Sequence, residues 1–214
     1  VGLGYTEFPY ARWDWMATHG WLDKSAVGKI GLWEDGGELV GLATFDTRPG
    51  EAFCVARPED AGLKREMLLY AAERLGRDGA FGVVIPDRDA AFQSVAAALG
   101  FVATGKKEND AAFYPGETPT DYALPAGFSV TSMADALDLY KYRSVLWKGF
   151  DHELDGEGPC PFSDEDEAAA RGEMLRPNVD LSLKIAVVAP DGSFVSYCGM
   201  WYEPKAGFAV VEPV

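Results

Sequence analysis

The chain has 214 residues, 48% hydrophobic and 25% charged, an ordinary globular composition that suits one large or two small domains. Its 34 acidic and 19 basic residues leave a net charge of −15, which argues against a nucleic-acid partner and suits solubility or a cationic partner, although many cytoplasmic proteins are simply acidic. No apolar run approaches the roughly 20 residues of a membrane span and no basic-then-apolar leader opens the chain, so no membrane partner and a cytoplasmic location are expected.

Val1 in place of Met reads as a processed, cut or partial chain. Cys54, Cys160 and Cys198 are odd in number and widely spaced, which suggests neither a disulfide framework nor a zinc site. Only His19 and His152 are present, so a His-rich metal site is not expected.

Residues 1–28 are rich in aromatics, and Trp13, Met16 and Ala17 have helical spacing. They read as a helix packed on a sheet, or as the lining of an acceptor pocket. Residues 29–34 and 38–46 form a hairpin across Asp35-Gly36-Gly37, because Asp-Gly is a strong hairpin turn. Residues 51–56 form the next strand. A helix follows, with Leu63, Met67, Leu68, Ala71 and Leu75 on one face. Residues 81–85 suit a buried strand. Asp87 caps the next helix, whose Phe92, Val95, Ala96 and Leu99 face inward until Gly100-Phe101 ends it. Residues 101–104 and 111–114 read as a closing strand pair.

Residues 114–125 (YPGETPTDYALP) hold three Pro and no apolar periodicity, and read as a linker. Residues 128–131 start a new strand. Ser132 and Asp135 have capping-box spacing before a helix that runs to Trp147. The loop 149–162 is acidic through Asp151, Glu153, Asp155 and Glu157. Asp164 to Glu167 open a further helix, where negative charge is favourable. Three strands close the chain, at 185–189, 194–202 and 208–211, with turns at Pro190-Asp191-Gly192 and 203–207.

These last strands echo the first ones. A gapless shift of 155 residues pairs Ile30 with Ile185, Gly37 with Gly192, Val40 with Val195, Pro49 with Pro204, Phe53 with Phe208 and Pro58 with Pro213. Matched turns and strands at this spacing mean two related units, 1–117 and 118–214.

The strand–turn–long strand–turn–strand meander ending in Phe208-Ala-Val-Val-Glu-Pro-Val214, after Trp201-Tyr202, resembles the GNAT family of N-acetyltransferases, in particular a tandem-GNAT subfamily. The resemblance implies an α/β (α+β) fold of two tandem units, each a mixed, mostly antiparallel sheet flanked by helices. The first unit lacks its first strand, and the second ends at strand four, before the Arg-x-x-Gly-x-Gly diphosphate loop. It implies acetyl transfer from acetyl-CoA, without a metal, to a primary amine of a small molecule or peptide. A homodimer is possible within such a family. The alternatives are a non-catalytic acyl-CoA-binding member and a structural or interaction protein.

Residue by residue, the resemblance makes Glu212 the candidate general base, with a rim or linker carboxylate as its bland reading. Val211 and Val214 fall on the cofactor edge, where a strand opening at Pro213 would free backbone groups for the thioester and pantetheine arm. Trp147, Phe150 and Trp201 fall where the acceptor approaches, between the first helices and the sheet. In the first unit the family's phosphate loop is reduced to one Gly, beside Glu59 and Asp60, and its proton-donating Tyr is replaced by Ala96. No cofactor binding is expected there.

Overall fold

The computed structural model describes residues 8–108, 111–114, 116 and 122–212. Among them it is a mixed α+β protein with two four-stranded sheets and five α-helices. None of the described helices is long and apolar enough to cross a membrane.

The first sheet has the order β1-β2-β3-β4. Strands β1 (Gly31–Asp35) and β2 (Glu38–Thr44) form the expected hairpin. Its two central residues, Gly36 and Gly37, have φ of 56° and 85°, a conformation that side chains with a Cβ rarely tolerate. Strand β3 (Glu51–Ala56) is antiparallel to β2, and β4 (Gly82–Val84) returns parallel to β3.

Alternate residues of β2 and β3 face opposite ways, and both faces are covered. Ala43, Ala52, Cys54 and Ala56 meet Met67, Leu68, Ala71 and Leu75 of α2 (Lys64–Leu75), and Phe92 and Ala96 of α3 (Ala90–Ala98). Leu42, Phe53 and Val55 meet Phe8 and Met16, the latter on α1 (Tyr10–Thr18). The aromatic N-terminal segment is therefore a helix on a sheet, the first of the two readings above.

The second sheet has the order β5-β6-β7-β8 and is wholly antiparallel. Its strands are β5 (Ser129–Ser132), β6 (Lys184–Val188), β7 (Phe194–Tyr202) and β8 (Ala209–Val211). Helices α4 (Leu139–Gly149) and α5 (Asp164–Met174) lie between β5 and β6 in sequence. They bury Leu139, Tyr142, Val145, Ala170 and Met174 against Ala186, Phe194 and Tyr197.

The two meanders match in strand order but not in full register. The β1–β2 pairing passes over Val40, and the β6–β7 pairing passes over Val195, so one β-bulge recurs at the 155-residue spacing. The first strands match only at a spacing of 154, because the second hairpin turns through three residues, closed by Ala189 N–H donating to Ser193 O. The third strands diverge further. Gly41 pairs with Ala56, whereas Val211 pairs with Met200 rather than with Ser196.

Three local expectations change. The cap of α3 is Asp89, which accepts from Phe92 N–H, and Asp87 instead pairs with Lys107 on the surface. Ser132 and Asp135 do bond each other, but in a turn, and Asp138 caps α4 by accepting from Lys141 N–H. A short polar side chain serves an isolated turn as readily as a helix start. Residues 101–104 and 111–114 carry no strand. Phe101 packs edge-on against Phe81, but Val102 is 84% exposed and finds no strand partner among the described residues. Ser163 and Asp166 form a true capping box at α5.

Helix α1 also reaches the second sheet. It lies against β7, β8 and α5. Beyond its end Gly20 N–H donates to Glu173 Oε1 at 2.8 Å, and Asn178 donates to Asp14 O at 3.3 Å.

Leu68 is fully buried under the first sheet. Leu68→Ala is expected to cost about 2–5 kcal/mol in chemical denaturation, while Val102→Ala should stay within about 0.5 kcal/mol. Equal midpoints for the two variants would contradict this division of core and surface.

Candidate functional site

Strand β7 changes neighbours halfway along its length. It pairs with β6 from Phe194 to Gly199, and with β8 from Met200 to Tyr202. At the handover Glu212 N–H donates to Gly199 O at 2.7 Å, and Trp201 Nε1 donates to Glu212 O at 3.0 Å. A Cβ on residue 199 would sit 2.5 Å from Glu212 O, so only glycine lets the end of β8 approach this closely. The ladder thus continues through Glu212. Pro213 and Val214, where the opening of the strand and a cofactor contact were expected, lie outside the described residues.

The stagger leaves one carbonyl exposed to the core. Successive strand carbonyls point to opposite edges. Since Gly199 O faces β8, Met200 O faces the edge where β6 has already ended. Lys184, the first residue of β6 and only 2% exposed, turns its ammonium into that gap and donates to Met200 O at 2.8 Å. Its nitrogen lies 3.4 Å from the centroid of the Trp201 ring, a cation–π position. Burial holds the Lys184 pKa down, at about 8. Sequence reading missed this residue; the signal was a lysine directly before the apolar run Ile185–Val188.

The Glu212 side chain faces the first unit. Arg12 of α1 makes a two-pronged contact with Asp46, its Nε donating at 3.1 Å and its Nη2 at 2.6 Å. The guanidinium also lies over the rings of Phe53 and Phe8, at 5.0 and 5.7 Å. Both sides of this pair are partly buried, which makes it stronger than an open surface bridge. Burial pushes the Glu212 carboxyl above its ordinary value; Asp46 and Glu108 push the same way, and Arg12 opposes them. The segments at 12, 46 and 108 are far from Glu212 in sequence, so only the fold assembles this group.

The other candidates divide. Trp201 is buried beside Glu212, held by Lys184 on its face and by its own indole bond. Val211 stays in the ladder opposite Met200. Trp147 turns toward the acidic loop: its Nε1 donates to Gly158 O at 3.0 Å, and its ring stacks on His152 at 4.2 Å. His152 in turn meets Glu157 at 2.8 Å. Phe150 closes α4 and is exposed. Asp151, Glu153 and Asp155 are exposed along the same loop. Between α4 and α5, Arg143 pairs with Asp166 at 3.1 Å, and its buried Nε has no hydrogen-bond partner among the described residues.

In the first unit, Arg57 and Lys64 at the 57–64 loop are already engaged. Arg57 pairs with Asp60 at 2.7 Å and lies 3.6 Å from Glu59, and Lys64 binds Asp89 while lying over Phe92. Ala96 is buried in the core.

The lowered pKa of Lys184 has a signed consequence. Between about 8 and the ordinary 10.5, the unfolded chain holds a proton that the folded chain has lost, so this group adds stability as pH rises. Cys54, held up at about 12 by burial, works the other way above its ordinary 9. Comparing the parent with Lys184→Met separates the two. From about pH 7.5 to 9, the parent's melting temperature is expected to rise relative to the variant's. Parallel profiles would mean that Lys184 titrates normally.

Searches against known protein families, characterised proteins and solved structures found no match to this chain.

Proposed function

We propose that the protein is an acyltransferase that moves an acetyl group from acetyl-CoA to a primary amine of a small molecule or peptide, with Glu212 as general base. The observation that carries the reading is the carboxyl of Glu212, half-buried at the end of β8 and raised in pKa by burial and by Asp46 and Glu108. A carboxyl whose pKa is raised is a stronger base than an ordinary one, which suits a site that must accept a proton. The amine nitrogen attacks the thioester carbonyl, a C–N bond forms, and the C–S bond breaks. The ammonium proton passes to Glu212, directly or through water, and the thiolate leaves. The exposed acids of the 151–157 loop suit a cationic acceptor.

The second unit carries this reading. The paired state of Arg57 and Lys64 leaves little positive charge for a diphosphate at residues 57–64, which supports a structural role for that loop. One observation favours a non-catalytic reading. Glu212 also sits at the junction with α1, where Arg12 attracts its carboxylate, and a junction carboxylate needs no chemistry to explain it.

The test is acetyl-CoA turnover with a panel of primary amines, followed as thiol release. Glu212→Gln keeps the shape and removes the basicity. It should lower turnover at least about tenfold, general bases usually contributing about 10²–10⁴-fold, and leave acetyl-CoA affinity little changed. Raising the pH should return part of the rate, as an amine with a pKa near about 10 deprotonates in solution. A parent that neither binds nor turns over acetyl-CoA supports the non-catalytic reading. A Gln variant matching the parent from about pH 6 to 9 makes Glu212 structural.

A further inference from the structure

A groove of about 430 Å³ opens on the first unit, lined by Trp21, Asp23, Lys29, Arg48, Pro49, Gly76 and Arg77. Three of these side chains are cationic, in a chain whose net charge is −15. Like charges gathered on one surface repel each other, and a chain rich in carboxylates has ample means to neutralise them. The first unit's other functional-looking cations, Arg12, Arg57 and Lys64, are neutralised in this way.

The groove is different. Lys29 and Arg48 form no ion pair among the described residues, and Arg48 lies over the exposed Trp21 ring at 5.8 Å. Arg77 meets only its neighbour Asp78, at 3.3 Å and with both side chains largely exposed, a pairing worth little. Asp23, the one acid in the lining, has its Oδ1 engaged by the N–H and hydroxyl of Ser25.

The walls are fixed by backbone bonds rather than by the cations. Asp23 N–H donates to Thr47 O at 2.8 Å, and Gly50 N–H donates to Leu75 O at 2.7 Å. Arg77 and Ala80 exchange N–H bonds at 2.9 Å. Gly50 holds φ at 122°, which lets the turn lie close to Arg77. The segments carrying Asp23, Arg48 and Arg77 are thereby held at one edge before any ligand arrives, which lowers the ordering cost of binding.

We infer that this groove binds a small anion carrying two or more negative charges, gripped by Arg48 and Arg77 and neutralised further by Lys29. Guanidinium forks match phosphate and carboxylate oxygens in pairs, which makes these two chemistries the candidates. The site stands apart from the proposed acetyl-transfer site. None of its lining residues belongs to the group formed by Arg12, Asp46, Glu108 and Glu212.

The test is calorimetric titration with inorganic pyrophosphate and, separately, with citrate at matched ionic strength. One saturable site is expected, with Arg48→Ala and Arg77→Ala each weakening it at least about tenfold, the usual cost of a charge-assisted bond. Lys205→Ala, an exposed cation outside the groove, should leave it unchanged. Tighter binding of pyrophosphate assigns a phosphate ligand, and tighter binding of citrate a carboxylate one. In an amide nuclear magnetic resonance titration the Trp21 indole signal should shift. All three cations are exposed, so the variants should keep the parent's melting temperature. No saturable binding of either anion below about 10 mM, where affinity is under 3 kcal/mol, would overturn the inference. So would equal binding by the parent and both arginine variants.

Discussion

Everything at the proposed site depends on α1. This nine-residue helix closes one face of the first sheet through Met16, and it also lies against β7, β8 and α5. Arg12 leaves it to grip Asp46, which follows β2, and comes within electrostatic reach of Glu212 at the end of β8. A partly buried cation cannot be left without a counter-charge at acceptable cost. The two-pronged bond to Asp46 meets that need and fixes where Arg12 points. Glu212 then sits in a field made mostly by the other unit, with Asp46 and Glu108 opposing its ionisation and Arg12 assisting it. If the protein is an acetyltransferase, the first unit is part of its catalytic electrostatics, although its own cofactor loop is neutralised.

A second constraint is the stagger of β7. A strand that pairs with one neighbour over its first half and with another over its second half must leave a carbonyl unpaired at the crossover. Lys184 closes that gap, Gly199 leaves room for the end of β8, and Trp201 ties the two together through its ring face and its indole N–H. The buried lysine costs desolvation, visible in its lowered pKa, and that cost is offset by the bond to Met200 O and by the aromatic face. Trp201 is therefore an internal support for the Glu212 backbone rather than an open ligand surface. Trp147 likewise supports the acidic loop through Gly158 and His152.

Charge is distributed with a purpose that the overall acidity conceals. At the Glu212 site, acids outnumber the single cation. At the groove beside Trp21 the balance is reversed, and the cations there form, among the described residues, no ion pair beyond the exposed contact of Arg77 with Asp78. The two places therefore suit opposite kinds of ligand, the amine proposed at one and the anion inferred at the other.

Much of the local structure was legible in the sequence. The Gly36-Gly37 hairpin, the stripe Met67, Leu68, Ala71 and Leu75, the acidic helix start at Asp164 to Glu167, and all three strands after residue 184 follow from turn chemistry, periodicity and the helix dipole, which act between near neighbours. The echo at 155 residues also located a recurring bulge, at Val40 and Val195. The choice of cap was not legible, since Asp87 and Asp89, or Ser132 and Asp138, differ only in how the following turn packs. Glu212 could be singled out from the sequence, but its company could not. Arg12, Asp46 and Glu108 come from three distant segments, and Lys184 from a strand end whose unpaired partner exists only once β7 has slipped past β6. Spacing along a chain encodes periodic faces and tight turns. Register between strands, and the charges that meet across two units, are decided only when the whole chain has folded, because their energies come from groups that sequence does not place side by side.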